Sequence, residues 1–332
     1  MMHNWNLYGH DWAVEHLRRG ILNARVRHAY LITGPESVGK TTLAQAFAMA
    51  LQCQNPDVAA RPCGECRACK LIRSGNHPDL ITVQLDANTG ALKIEEVRTV
   101  TSKIALKPFE GRYRIAILND FERAQPRAQD ALLKTLEEPP GAAILMVLAS
   151  STDAILPTII SRCQNIGLTL LPLNVVGNVL VEHFGADPAQ ASLLARLSGG
   201  RLGWAVRALQ DPTLLEQRTQ ALDMLETLLT QNRAGRFAQA EELAKEKLAL
   251  IALLELWQTF WRDLLLMTED TALAPVNADR IDSLKRLAQG MTPQQALAAL
   301  KATRDTLANL AYNVNVRLTL EVMLLDYPGL KR

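Results

Sequence analysis

The 332 residues are 48% hydrophobic and 21% charged, which is the composition of a folded chain and excludes wholesale disorder. A formal charge of +2 excludes a global attraction to nucleic acid, so any such contact has to come from a local patch. The length predicts two or three domains.

The N-terminal Met1-Met2-His3-Asn4-Trp5-Asn6 has neither the basic nor the apolar part of a signal peptide. No apolar run reaches the roughly 18 residues of a membrane-spanning helix; Ala142 to Ala149 is too short, and the stretch from Leu248 is broken by Glu255. A cytoplasmic, reducing location without membrane contact is expected. The five cysteines then read as metal ligands or core residues, not disulfides.

In chain order, Ala29 to Thr33 is a predicted strand, followed by an Ala/Leu-rich helix over Thr41 to Gln52. Leu80 to Gln84 reads as a second strand. Ile94, Val97, Val100 and Ile104 recur at helical spacing, with Glu95 and Glu96 where the helix dipole favours acids. Arg114 to Leu118 is a third strand. Arg127 to Glu138 is a helix stopped by Pro139-Pro140, and Ala143 to Leu148 is a fourth strand. Strands alternating with helices predict an α/β domain with a largely parallel sheet. After about residue 165 no strand signal remains. Leu170 to Leu209 reads as a small helical domain with a turn at Ser198-Gly199-Gly200, and the chain from Pro212 onward as an all-helical one.

The first strand runs into Gly34-Pro35-Glu36-Ser37-Val38-Gly39-Lys40-Thr41-Thr42, a P-loop. Its glycines let backbone N–H groups turn toward phosphate oxygens, Lys40 reaches the β and γ phosphates, and the Thr41 hydroxyl joins a Mg²⁺ shell. The helix that follows adds the positive end of its dipole. Hydrolysis needs carboxylates at the end of a later apolar strand. There the chain reads Asn119-Asp120-Phe121-Glu122, and an amide at 119 lacks the charge that organises Mg²⁺. Asp120 and Glu122 are either a working catalytic pair or polar residues closing a strand.

Cys53, Cys63, Cys66 and Cys69 form C-x9-C-x2-C-x2-C, a ligand set for a closed tetrahedral structural zinc site. The insert also carries Arg61, Arg67, Lys70 and Arg73, which either touch nucleic-acid phosphate or form a solvated face. His77 reads as a loop residue rather than a ligand, and Cys163 as a small buried residue.

The P-loop, the four-cysteine insert, Ala131-Leu132-Leu133-Lys134-Thr135-Leu136-Glu137-Glu138-Pro139-Pro140 and Ser161-Arg162-Cys163 follow one another in this order. Together they resemble the clamp-loader ATPases of bacterial DNA polymerase III. The resemblance covers nearly the whole chain, from Leu7-Tyr8-Gly9-His10, similar to a base-contact segment, to the run from Asn313 to Leu325. It implies an α/β P-loop AAA+ domain over 1–165 with a zinc-binding module at about 53–75. A small helical lid over 166–210 and an all-α collar over 211–332, used for oligomerisation, complete the implied fold.

Two branches of that family share the pattern, the tau/gamma motor and the delta-prime subunit. Asn119 in the acidic motif, a chain that stops with the collar, and Gly203 near the position of the motor's phosphate-sensing arginine fit delta-prime, although Arg201 is close by. The implied ligands are structural Zn²⁺ and ATP or ADP with Mg²⁺. The implied partners are tau/gamma and delta subunits in a hetero-oligomer, with the sliding clamp and primed DNA reached through the complex. Arg162 is implied to act in trans as an arginine finger on a neighbour's γ-phosphate, against a simpler role as a local ion-pair partner. Ser150 or Ser151 falls where the family's polar sensor follows its strand, or merely begins a loop.

Overall fold

The computed structural model describes residues 5–83, 85–86, 90–269, 271, 273–310, 312 and 314–329. Gln84, expected to end the second strand, Asn313 and the first four residues lie outside the described residues. The chain divides into two compact units, Met1–Leu171 with Arg201–Gly203, and Pro172–Gly200 with Trp204–Arg332.

In the first unit, β1 (Ala29–Thr33), β2 (Leu80–Val83), β3 (Arg114–Leu118), β4 (Ala143–Ala149) and β5 (Gln164–Gly167) form one sheet in the order β2-β3-β4-β1-β5. Every pairing is parallel. Parallel strands need helical crossovers, which cover both faces, so the strands read as continuous apolar runs. All seven residues of β4 are buried.

The period-2 alternation of side chains splits the sheet between two cores. Tyr30, Ile32, Ile115, Ile117, Met146 and Leu148 face one cluster. There they meet α1 (Asp11–Leu22) through Val14 and Leu17, and α2 (Lys40–Gln52) through Leu43 and Phe47. Leu31, Ala116, Leu118, Leu145 and Val147 face the other. Val97, Val100 and Ile104 of α4 (Ile94–Ile104) and Leu132 and Leu136 of α5 (Pro126–Glu137) complete it. Burying one such Leu or Val contributes about 1.5–3 kcal/mol. A short α3 (Arg67–Arg73) lies in the cysteine insert, and α6 (Pro157–Ile160) precedes Arg162.

β5 corrects the expectation that strands end before residue 165. It pairs with β1 from Tyr30 opposite Gln164 to Thr33 opposite Gly167. Only Ile166 of its four residues is buried, because an edge strand has one neighbour and needs little apolar pattern. The run Gln164-Asn165-Ile166-Gly167 therefore carries no strand signal.

The second unit is all helix among the described residues: α7 (Leu173–Phe184), α8 (Pro188–Ser198), α9 (Leu202–Gln210), α10 (Thr213–Thr230), α11 (Arg233–Leu243), α12 (Lys247–Thr268), α13 (Ile281–Gln289), α14 (Pro293–Leu310) and α15 (Val316–Asp326). Asp187 caps α8 by accepting from the N–H groups of Ala189 and Gln190, and Gly199 ends it at φ +57. Trp257, Phe260, Trp261 and Leu264 of α12 are buried in the large helical core. Arg236 is buried there too, donating to five carbonyl oxygens, of Leu228, Leu229, Leu324, Tyr327 and Pro328, at 2.7–3.4 Å. It thereby adds a donor to carbonyls at or just beyond the C-terminal ends of α10 and α15, of which that of Leu228 also accepts the Gln231 N–H. No helix among the described residues is long and apolar enough to cross a membrane.

Candidate functional site

Because the strands are parallel, the segments that leave β1, β3 and β4 emerge along one edge of the sheet. Thr33 stands opposite Ala149, Leu118 stands opposite Val147, and Gly34 donates its N–H to Ala149 at 3.1 Å. The cradle, the Asn119–Glu122 turn and Ser150 therefore share that edge, where open α/β sheets place their ligands.

The two signature glycines are sterically required. Gly34 has φ +146, and a Cβ there would lie 2.3 Å from the carbonyl oxygen of Leu168; Gly39 has φ +111, with Leu7 2.7 Å from the same imaginary atom. Gly39 caps α2, so the backbone N–H groups at the start of that helix are aimed into the loop. Val38 is buried, whereas Glu36, Thr41 and Thr42 are exposed and Pro35 and Ser37 are half-buried. Lys40 folds back onto its own loop, its Nζ donating to the carbonyls of Gly34 at 2.6 Å and Pro35 at 3.0 Å. Burial pulls its pKa below the ordinary lysine value, opposed by the charges of Glu122, then Asp120, then Glu36. His10, from the predicted base-contact segment, is buried beside the loop. Burial depresses its pKa against a hydrogen bond to the Val38 backbone.

The polar residues of the turn after β3 separate into distinct roles. Asn119 is turned away from the cradle, its Nδ2 donating to Val83 on β2 at 3.0 Å. Asp120 sits at φ +48, a left-handed conformation that Asp tolerates better than most residues, and it reverses the chain after β3. Burial first, and the charge of Glu122 second, push its carboxyl pKa up. Glu122 accepts a hydrogen bond from Ser150 at 2.6 Å, while its second oxygen is buried with no partner among the described residues. Ser151 instead accepts from the Asp153 N–H at 3.4 Å in a local turn. Of the two serines, only Ser150 is hydrogen-bonded to this acidic turn.

Two contacts at the cradle come from positions that the resemblance singles out, Leu7 and Gly203, but the contacts themselves had no local sequence signal. Leu7 packs beside Gly39, and the Gly203 N–H donates to the Ser37 carbonyl at 2.8 Å. A Cβ at position 203 would stand 2.8 Å from that same oxygen, so a larger residue requires the backbone to shift. Both are long-range contacts that no local pattern encodes.

Arg162 lies on the surface, donating to the Thr158 carbonyl at 2.9 Å and pairing with Glu137 at 2.8 Å. With the Glu137 side chain 51% exposed, this ion pair is worth at most about 1 kcal/mol and is easily exchanged. Burial pushes the thiol of the adjacent Cys163 up to about 12, so it remains protonated and inert.

The sulfur atoms of Cys53, Cys63, Cys66 and Cys69 all lie within 4.8 Å of one another. Cys66 and Cys53 are 4.0 Å apart, against about 3.8 Å between thiolates on a tetrahedral zinc with 2.3 Å bonds. The Cys63 N–H donates to Cys53 and the Cys66 N–H to Cys63, both at 3.3 Å. Burial opposes the Cys66 thiolate, yet hydrogen bonds from the Gln54 and Cys69 backbones and from neighbouring thiols bring its pKa down to about 6. His77 is not part of this cluster: its Nδ1 accepts the Asp79 N–H at 3.1 Å. Arg61 is bound to Asn55, Arg67 to Glu110 and Arg73 to Gly64.

A parallel sheet with strand order β2-β3-β4-β1-β5 and a P-loop at the end of β1 defines a P-loop fold of the AAA+ type. Two family models match the chain: "DNA polymerase III, delta subunit" over residues 9–172, and "DNA polymerase III, delta subunit, C terminal" over 212–328. The chain is 35% identical to DNA polymerase III subunit delta' of Pseudomonas aeruginosa over 64% of either chain. It is 28% identical to the delta' subunit of Bacillus subtilis over 93% of both. To DNA polymerase III subunit tau of Salmonella typhimurium it is 32% identical over 59% of this chain and 31% of that one. The chain belongs to the delta-prime family of DNA polymerase III subunits.

Proposed function

We propose that this chain is the delta-prime subunit of a bacterial clamp loader, assembling with tau/gamma and delta subunits to place a sliding clamp on primed DNA. The observation that carries the reading is the match of both family models, in order, across the sheet domain and the C-terminal helices. In this reading the chain works in three parts, an AAA+ domain over 1–165, a lid over 166–210 and a collar over 211–332.

The cradle from Gly34 to Thr42 holds ATP or ADP with Mg²⁺. Its backbone N–H groups and Lys40 take the phosphates once Lys40 exchanges the carbonyls of its own loop for phosphate oxygens. Cys53, Cys63, Cys66 and Cys69 hold a structural zinc, which would supply the cross-link that a small loop-rich insert lacks. Arg162 is assigned to a neighbouring subunit's ATP site. A planar guanidinium held only by Thr158 and the exposed Glu137 can leave them for the charge that develops in phosphoryl transfer.

Reconstitution with candidate loader subunits tests the whole reading, measuring assembly size and DNA-stimulated ATPase. Arg162→Ala should leave assembly intact and lower turnover at the completed site by about 10³-fold; unchanged turnover removes the role given to Arg162. Metal analysis of chain purified without chelator should find one zinc per chain, and a value near zero refutes the four-cysteine assignment.

A second reading, a tau/gamma-like motor that hydrolyses ATP itself, is favoured by the intact Gly39-Lys40-Thr41. It requires Mg²⁺-dependent ATPase from the purified chain that Lys40→Ala abolishes.

A further inference from the structure

We propose that Glu122, held by Ser150, is a positioning residue at the metal side of the nucleotide cradle, taking over the place that Asn119 cannot fill. This rests on the nucleotide-binding reading of the cradle and goes beyond it by naming the carboxylate that serves the Mg²⁺ side.

Asn119 is unavailable on two grounds. Its amide carries no charge, and both its Nδ2 and its backbone N–H are engaged with the Val83 carbonyl, on β2 and away from the P-loop. Asp120 then turns the chain at φ +48, and the 3₁₀ turn Phe121–Arg123 carries the next acid back along the sheet edge. Glu122 arrives at Ser150, the residue after β4, whose last strand residue stands opposite Thr33 just before the cradle. The Ser150 hydroxyl donates to one carboxylate oxygen at 2.6 Å and fixes the rotamer. The other oxygen is buried and unpartnered among the described residues. An unpaired acceptor of this kind is costly to bury unless something donates to it.

Lys40 supplies the second, independent pointer. Of the carboxylates acting on its ammonium, Glu122 exerts the strongest pull, ahead of Asp120 and Glu36. Glu122 is therefore one of the charged groups that surround the lysine reaching for the β and γ phosphates. That location suits an acceptor for water bound to the Mg²⁺ of a nucleoside triphosphate. Glu122 acts by holding such a water, with Ser150 holding Glu122.

The test is the affinity of the full chain for a fluorescent ATP analogue, with Mg²⁺ and with EDTA, in wild type, Glu122→Gln, Ser150→Ala and Lys40→Ala. Wild type should gain at least about tenfold in affinity from Mg²⁺. Glu122→Gln should bind as wild type does in EDTA and lose most of that gain, Ser150→Ala should lose part of it, and Lys40→Ala should lose binding in both conditions. A full Mg²⁺ gain in folded Glu122→Gln, or none in wild type, overturns the Glu122 role and leaves the cradle standing. Absence of binding by folded wild type in both conditions overturns the cradle reading and this one together. Circular dichroism checks folding, and if Glu122→Gln does not fold, Ser150→Ala decides: an undiminished gain in it overturns the role.

Discussion

Lys40 and Arg236 are both cations whose pKa is pulled down by burial, and the structure treats them in opposite ways. Arg236 donates to five carbonyls near the ends of α10 and α15. Those carbonyls lie at or just beyond helix ends, where the helical ladder runs out of donors, although that of Leu228 also accepts from the Gln231 N–H at 3.3 Å. Lys40 is held by two carbonyls of its own loop, with Glu122, Asp120 and Glu36 acting on it from around the cradle. A buried cation saturated by distant segments is a staple. One parked on its own loop is available for exchange with a ligand.

The sharpest way to break that comparison is to remove each cation. Arg236→Met takes a donor from five carbonyls, of which that of Leu228 keeps another, from Gln231, and each group left unpaired costs about 1–3 kcal/mol if it finds no water. With relaxation, a total loss of about 3–5 kcal/mol is expected in urea unfolding of the second unit. Nucleotide affinity of the folded fraction should be unchanged. Lys40→Ala should do the reverse, weakening nucleotide binding about 100-fold, or about 2.7 kcal/mol, while unfolding stability moves by less than about 1 kcal/mol. If Lys40→Ala proves as destabilising as Arg236→Met, the distinction between staple and ligand group fails.

A third variant sharpens the cradle side through pH. The folded-state pKa of Asp120 is raised above its ordinary 3.8 by burial and by Glu122. Its ionised form is therefore less favourable folded than unfolded, and the native state is weakened as pH rises from 3.8 through the raised pKa. Asp120→Asn mimics the neutral form and keeps a residue that tolerates the left-handed turn. It should be more stable than wild type near neutral pH and lose that advantage as pH falls through the raised pKa to 3.8, read from urea midpoints at a series of pH values. The smallest effect belongs to Glu137→Ala. Removing this exposed partner of Arg162 should change stability by less than about 1 kcal/mol, within the scatter of a surface substitution.

Much of the first unit was legible because a parallel sheet buried on both faces leaves an unmistakable pattern. Short apolar runs such as Ala143 to Leu148 and Arg114 to Leu118 became β4 and β3 with boundaries moved by one residue or none. The cysteines were legible for a different reason: two C-x2-C steps bring sulfurs together by local backbone geometry, and only Cys53 had to be delivered by α2. β5 was not legible, since its place depends on the exposed edge of β1 and not on its own side chains. Nor was the direction of Asn119 and Glu122, which differ by three residues and turn to opposite neighbours, Val83 and Ser150.

By itself the sequence determined the P-loop motif, the spacing of the four cysteines and the positions of β1, β3 and β4. All of these depend on residue type and short-range spacing, which a chain carries before it folds. Tertiary structure alone decided which acid serves the cradle, which of two serines holds it, and that Gly203 must be small against the Ser37 carbonyl. Those outcomes turn on contacts between segments 28 residues apart for Ser150 and Glu122 and farther still for Gly203 and Ser37. At such separations the chain's own spacing exerts no constraint, and the sheet register brings the first pair together.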